Sequence, residues 1–216
     1  MDTRSTQEPQ IRALRLGPIA TNCYLVRSAA GGGFLVDPAA DFARIQREAA
    51  AMELVPEAIL LTHGHFDHIG ACTAAALHWR IPVTAGQQEA SLLSEPEANL
   101  SMEFGVPAAA KADRLVRDGE ILSIAGIRIR VFETPGHTAG SVCYELPDWQ
   151  ILFSGDTLFA GSYGRTDFPT GSESAMARSI RRLLTNLPEE TRVYPGHGEP
   201  TDIQTERSIN PLYQQP

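Results

Sequence analysis

The chain has 216 residues, 43% apolar and 20% charged, enough to bury a substantial core in one domain spanning residues 1–216 and too apolar for a disordered polypeptide. Its formal net charge of -8 argues against a nucleic-acid partner, because neutralising phosphates requires a basic face that this composition builds only locally. Three cysteines, Cys23, Cys72 and Cys143, are odd in number and widely spaced, which speaks against a disulfide framework and for a reducing compartment.

Met1 to Gln10 is polar and lacks the basic-then-apolar pattern of an export signal. No stretch approaches the roughly 20 apolar residues that cross a bilayer, so a cytoplasmic protein with no membrane partner is expected. Ile11 to Gly17, Asn22 to Arg27 and Gly33 to Asp37 read as short paired strands, with the glycines at 31–33 suited to a hairpin turn. The spacing of Phe42, Ile45, Ala49 and Met52 predicts a helix capped by Asp41. Ala58 to Leu61 is a buried strand that runs directly into a histidine-rich loop. A helix over 70–78 and a strand from Ile81 to Thr84 follow, and Ser94 to Arg114 shows no firm periodicity, reading as a helix plus a mobile loop. Strands are expected at Glu120 to Ser123, Ile127 to Glu133, Ser141 to Leu146, Ile151 to Ser154 and Arg192 to Tyr194, with a helix from Glu173 to Leu184. Strands come before a helix in both halves, which suggests two packed sheets covered outside by helices.

Five of the six histidines stand beside Gly, Asp or Thr at strand ends: His63, His65, His68, His137 and His197. A single histidine is more often a satisfied surface or core residue. Three in the run Thr62-His63-Gly64-His65-Phe66-Asp67-His68 reverse that expectation. Residues two apart in an extended loop point the same way, so His63 and His65 can address one ion while Asp67 and His68 turn toward a neighbour. Asp156 also follows a strand. Seven imidazoles and carboxylates presented in this manner suit two ions that share one carboxylate. Asp37, before Pro38, reads either as an acceptor for a ligand imidazole or as a turn cap.

These segments resemble the metallo-β-lactamase fold hydrolases, and among them the glyoxalase II (hydroxyacylglutathione hydrolase) type in its shorter bacterial form without a C-terminal helical domain. The likeness runs through Asn22-Cys23-Tyr24, Thr62 to Gly70, Thr134 to Ser141, Phe153 to Gly161 and Tyr194 to Glu199. It implies an α+β fold, a four-layer αββα sandwich with two mixed sheets. It also implies a first metal site of His63, His65 and His137, a second of Asp67, His68 and His197, and a bridging Asp156. Zinc is the expected metal, two ions per chain, although such ligands also accept iron or manganese. The implied chemistry is hydrolysis of a small-molecule thioester such as a hydroxyacylglutathione, by a hydroxide bridging the two metals, with Asp67 as the catalytic residue that orients it. Arg165 and Tyr163 are the candidate substrate contacts. Asp167 departs from the tyrosine that helps hold glutathione in glyoxalase II.

Gly164-Arg165-Thr166-Asp167-Phe168 also resembles the persulfide dioxygenases of the same superfamily, which implies one iron held by two histidines and an aspartate. A non-catalytic metal-binding module is an alternative of another class. β-Lactam cleavage is disfavoured by the polar N-terminus, since that activity normally accompanies an export signal.

Overall fold

A computed structural model describes residues 7–214. The first half contains β1 (Gln10–Leu16), β2 (Thr21–Arg27), β3 (Gly32–Val36), α1 (Phe42–Ala51), β4 (Val55–Leu60), α2 (Phe66–Ile69), α3 (Cys72–Trp79), β5 (Val83–Gly86), α4 (Ala90–Ser94) and β6 (Arg114–Val116). The second contains β7 (Ile121–Ile124), β8 (Ile127–Glu133), β9 (Val142–Leu146), β10 (Ile151–Gly155), β11 (Leu158–Phe159), β12 (Ser162–Tyr163), α5 (Glu173–Asn186), β13 (Arg192–Pro195), β14 (Thr201–Asp202), α6 (Ile203–Ile209) and α7 (Pro211–Gln214).

Two six-stranded mixed sheets result, ordered β1-β2-β3-β4-β5-β6 and β14-β13-β10-β9-β8-β7. In the first, β1 to β3 are antiparallel and β3 to β6 parallel. In the second, β10 and β13 run parallel within an otherwise antiparallel sheet. The side-chain period of two explains how one strand serves two layers. Tyr24 and Val26 of β2, Phe34 and Val36 of β3, and Leu60 of β4 pack between the sheets against Val131, Tyr144 and Phe153. Their neighbours Cys23, Leu25, Leu35 and Ile59 face the other way, onto Ile45 and Ala49 of α1 and Cys72 and Ala75 of α3. Cys143 and Leu152 of the second sheet meet Met176, Ile180, Leu183 and Leu184 of α5, with Ile203 and Leu212 beyond them. Three apolar layers thus separate four layers of secondary structure, helices outside and sheets within.

Strand and helix positions follow the sequence pattern within a few residues, and the Asp41 carboxylate caps α1 by accepting from the Arg44 amide at 3.1 Å. Of the three glycines expected in the turn, Gly32 and Gly33 belong to β3 and only Gly31 precedes it; Gly33 serves strand pairing, since a Cβ there would lie 1.9 Å from the Val26 carbonyl oxygen. The segment after α4 is a set of pinned turns. Asn99 and Ser101 are buried, the Asn99 amide donates to the Ala108 carbonyl at 2.8 Å, and the Ala110 N–H donates to Leu93 at 2.8 Å. Local polar bonds of this kind carry no apolar period, and β6 at its end is too short to show one. Among the described residues no helix is long and apolar enough to cross a membrane.

Phe153 touches the rings of Tyr24, Phe34 and Tyr194 and is fully buried. Phe153→Ala is expected to lower stability by about 3–5 kcal/mol in urea unfolding, whereas Val55→Ala, at a 66% exposed position, should change it by less than about 0.5 kcal/mol.

Candidate metal centre

The histidine-rich loop leaves the C-terminal end of β4, Asp37 follows β3, His137 follows β8, Asp156 follows β10 and His197 follows β13. Strand ends from both sheets therefore deliver donors to one edge of the sandwich. Three groups of side chains have donor atoms within 4.8 Å of one another: His63, His65 and His137; His63, His68 and Asp156; and Asp67, His68 and His197. Asp156 stands between them, with carboxylate oxygens 3.3 Å from His68 Nε2 and 3.5 Å from the Nε2 atoms of both His137 and His197. Asp67 Oδ2 lies 3.3 Å from His68 Nε2 and 3.2 Å from His197 Nε2. The Nδ1 of His65 is 2.8 Å from His137 Nε2.

Two of the rings, His68 and His137, are turned by partners outside the cluster. His68 Nδ1 donates to Asp37 Oδ2 at 2.9 Å, which leaves Nε2 facing the centre. The same carboxylate accepts the Thr62 amide at 2.8 Å and the Thr62 hydroxyl at 2.6 Å. Asp37 is thus the imidazole acceptor, the first of its two sequence readings. His137 Nδ1 donates to the Arg165 carbonyl at 2.7 Å. The Thr21 hydroxyl donates to Asp67 Oδ2 at 2.7 Å. Asn22 Nδ2 donates to the carbonyls of Pro195 and Gly198, both at 3.0 Å, and the Tyr24 hydroxyl to Pro195 at 2.5 Å, so β2 clamps the loop bearing His197. Gly196 allows that loop to close, since a Cβ there would sit 2.1 Å from Asp156 Oδ1.

Glu89 completes this frame and carries no spacing signal in the sequence. Its buried carboxylate accepts the Gly64 amide at 2.8 Å, the Thr138 hydroxyl at 2.6 Å and the Gly140 amide at 2.9 Å, joining the loop of His63 and His65 to that of His137. Thr21 was equally silent, although it adjoins the Asn22-Cys23-Tyr24 motif.

The donor set fits cations. Among the described residues six buried side-chain polar atoms lack a hydrogen-bond partner, and four belong to this cluster: the Nε2 atoms of His63, His65 and His68, and Asp156 Oδ1. Such orphans are rare and cost about 1–3 kcal/mol each unless an ion or water satisfies them. The electrostatics agree. Burial pushes the His63 pKa well below the usual histidine value, with His68 adding to the effect, and brings His65 down to about 3, so both are neutral donors. Burial acts the same way on His68 but is outweighed by Asp67, Asp156 and Asp37, which hold its pKa well above the ordinary value. Burial would raise Asp67 and Asp156, yet His68 overrides it and both carboxyls lie below their usual range. The carboxylates favour positive charge at the point where His68 Nε2 faces them, a role that a metal ion fills better than a proton.

A cavity of about 460 Å³ opens onto the centre, lined by His65, Asp67, His137, Asp156, His197 and Arg165 together with an apolar wall. Arg165 reaches the cleft with its guanidinium already paired to Asp167. Tyr163 does not reach it. Half-buried in β12, its ring packs against the α5 layer of the core, and the cavity lining passes from Phe159 to Gly164.

Residues 16–197 match the model of the metallo-β-lactamase superfamily. The chain belongs to this superfamily. A probable metallo-hydrolase of Bacillus subtilis, YqgX, is 41% identical over 93% of this chain and 96% of its own length. The hydroxyacylglutathione hydrolase GloC of Haemophilus influenzae is 32% identical over 88% and 92%. Among solved structures, the B3 metallo-β-lactamase BLEG-1 is 39% identical with a TM-score of 0.91, covering 95% of this chain and 100% of that one. TTHA1623, crystallised in a di-iron-bound form, is 35% identical with a TM-score of 0.84, covering 93% and 99%. ETHE1 from Myxococcus xanthus is 30% identical with a TM-score of 0.80, covering 96% and 86%. The fold of this chain, two mixed sheets flanked by helices, is thus the metallo-β-lactamase fold, and its superfamily is one of metallo-hydrolases.

Asp37→Ala frees the His68 ring to rotate, and metal binding should weaken about 10–100-fold in competition titrations against a chelator. The metal-free protein should lose stability as pH falls from 6.5 toward 3. His63 and His65 have folded-state values below the unfolded 6.5, so the unfolded chain takes up protons that the native state refuses, and Asp67 and Asp156 extend the fall at its acid end. The raised His68 and His197 act in the opposite sense, and only above 6.5. Urea unfolding of chelated protein across this range checks the slope, and a flat profile contradicts it.

Proposed function

We propose that this chain is a dinuclear zinc hydrolase of the glyoxalase II type, acting in the cytoplasm on thioesters of small thiols. In this reading His63, His65 and His137 hold one ion, Asp67, His68 and His197 the other, and Asp156 bridges them. The observation that carries it is a cleft whose floor is formed by five of these seven donors, an opening that a storage module has no use for. The similarity to GloC supports the thioester, and three buried cysteines without disulfides suit a reducing compartment.

Bound divalent cations would supply charge that acidifies water and polarises a carbonyl oxygen. The protein's own part is orientation. Asp67 is ionised, with one oxygen engaged by the Thr21 hydroxyl, and its carboxylate accepts a hydrogen bond from attacking water. The hydrolysis forms a carbon–oxygen bond and breaks the carbon–sulfur bond, and the thiol leaves with the proton that the water gives up.

A second reading, the mononuclear iron persulfide dioxygenase, draws on the Gly164–Phe168 likeness and on ETHE1. The similarity to BLEG-1 places β-lactams in the same panel. Anaerobically purified protein of measured metal content should contain about two zinc per chain and hydrolyse lactoylglutathione faster than a cephalosporin. His137→Ala and Asp156→Ala should remove both metal and turnover. One iron per chain with oxygen consumption on glutathione persulfide would replace this reading with the second.

A further inference from the structure

The wall of the cleft differs in character from its floor. Ile19, Phe66, Leu100, Phe104, Phe159 and Phe168 line the cavity. A second cavity of about 390 Å³ shares Phe66 and Asp67 with it and continues along Pro18, Val106 and Pro107. Ile19, Phe104 and Val106 are among nine large hydrophobic side chains exposed on the described surface, at 44%, 50% and 49%. The Phe66 and Phe104 rings stack at 4.6 Å. This wall is held in place, because the Phe66 amide donates to the Asn99 carbonyl at 3.0 Å and Ser101 donates to Ala108 at 3.2 Å. Exposed apolar surface beside a reactive centre marks a binding surface.

Cationic groups are scarce there. Apart from the histidines, Arg165 is the single cation among the described residues lining either cavity. Its Nε and Nη2 donate to the two oxygens of Asp167 at 2.7 and 2.6 Å, and its guanidinium carbon sits 3.9 Å from the centre of the Phe168 ring. One carboxylate-gripping edge of the guanidinium, its Nε and Nη2 donors, is thereby already engaged.

We infer that the substrate of this site is a thioester with an apolar, uncharged limb lying on the Ile19–Phe66–Phe104 wall, and that carboxylates of the thiol are not what the cleft recognises. This rests on the thioesterase reading and narrows its substrate class. Each methylene buried on the wall is worth roughly fourfold in affinity, so a phenylacetyl group in place of a lactoyl group should be worth about tenfold or more.

The test crosses two acyl groups, lactoyl and phenylacetyl, with two thiols, glutathione and N-acetylcysteamine, on protein of measured zinc content. For a given thiol, kcat/KM should be about tenfold or more higher for phenylacetyl. For a given acyl group, loss of the glutathione carboxylates should change it by less than about threefold, within the small worth of an exposed ion pair. Phe104→Ala, at a half-exposed position, should cut the phenylacetyl-to-lactoyl ratio by about tenfold. Asp167→Ala should free Arg165 and lower KM for the glutathione thioesters selectively. A tenfold preference for glutathione over N-acetylcysteamine, abolished by Arg165→Ala, overturns the inference and leaves the thioesterase reading standing. Calorimetry with the inert thioether S-phenethyl-N-acetylcysteamine separates the remaining cases. Binding that Phe104→Ala weakens, with no thioester turned over, keeps the apolar cleft and discards the thioesterase; absence of binding together with absence of turnover discards both.

Discussion

Burying imidazoles and carboxylates side by side calls for partners that orient them from outside the cluster, and such contacts organise the molecule. For His68 that partner is Asp37. One carboxylate fixes the His68 ring and takes both polar hydrogens that Thr62 offers, tying the end of β3 to the end of β4 where the histidine loop begins. Glu89 does the same between loops, and the Arg165 carbonyl orients His137. The atoms left without partners are concentrated in the cluster. Their unmet bonding is what gives the centre its appetite for cations.

The sheets make such convergence affordable. Strands are stiff and their registers are pinned by the three apolar layers, so loops leaving their ends start from fixed points. Donors from β4, β8, β10 and β13 meet although up to 134 positions separate His63 from His197 in the chain. β2 adds no donor, yet its Asn22 and Tyr24 hold the last loop against the centre. A strand in the first sheet thus sets the position of a histidine delivered by the second.

Floor and wall of the cleft obey different rules. The floor is a set of imidazoles and carboxylates that fits cations, and relatives named as a metallo-hydrolase, a hydroxyacylglutathione hydrolase and a B3 metallo-β-lactamase are similar to this chain. Selectivity within one scaffold resides in surface loops. The pinned turns carrying Leu100 and Phe104 and the loop carrying Arg165, Asp167 and Phe168 border this cleft, and their internal ion pair and apolar faces set them apart from the polar floor.

The sequence by itself determined strands β1 to β5, β7 to β10 and β13, the helices α1, α3 and α5, and the histidines and aspartates that gather at one edge, because period-two and helical patterns are local and the motifs around His63, His137, Asp156 and His197 each sit at a strand end. It could also nominate Asp37, although only the ring of His68 at 2.9 Å decides between a brace and a turn cap. Glu89, Thr21 and the wall built by residues 95–110 were illegible, since a buried glutamate looks like a solvated one until its three donors arrive from loops 25 and about 50 residues away. Tertiary structure alone turned Tyr163 against the α5 layer and closed Arg165 onto Asp167. Side-chain direction in a short strand and pairing in a loop depend on what the rest of the chain packs against them, and no local pattern encodes that.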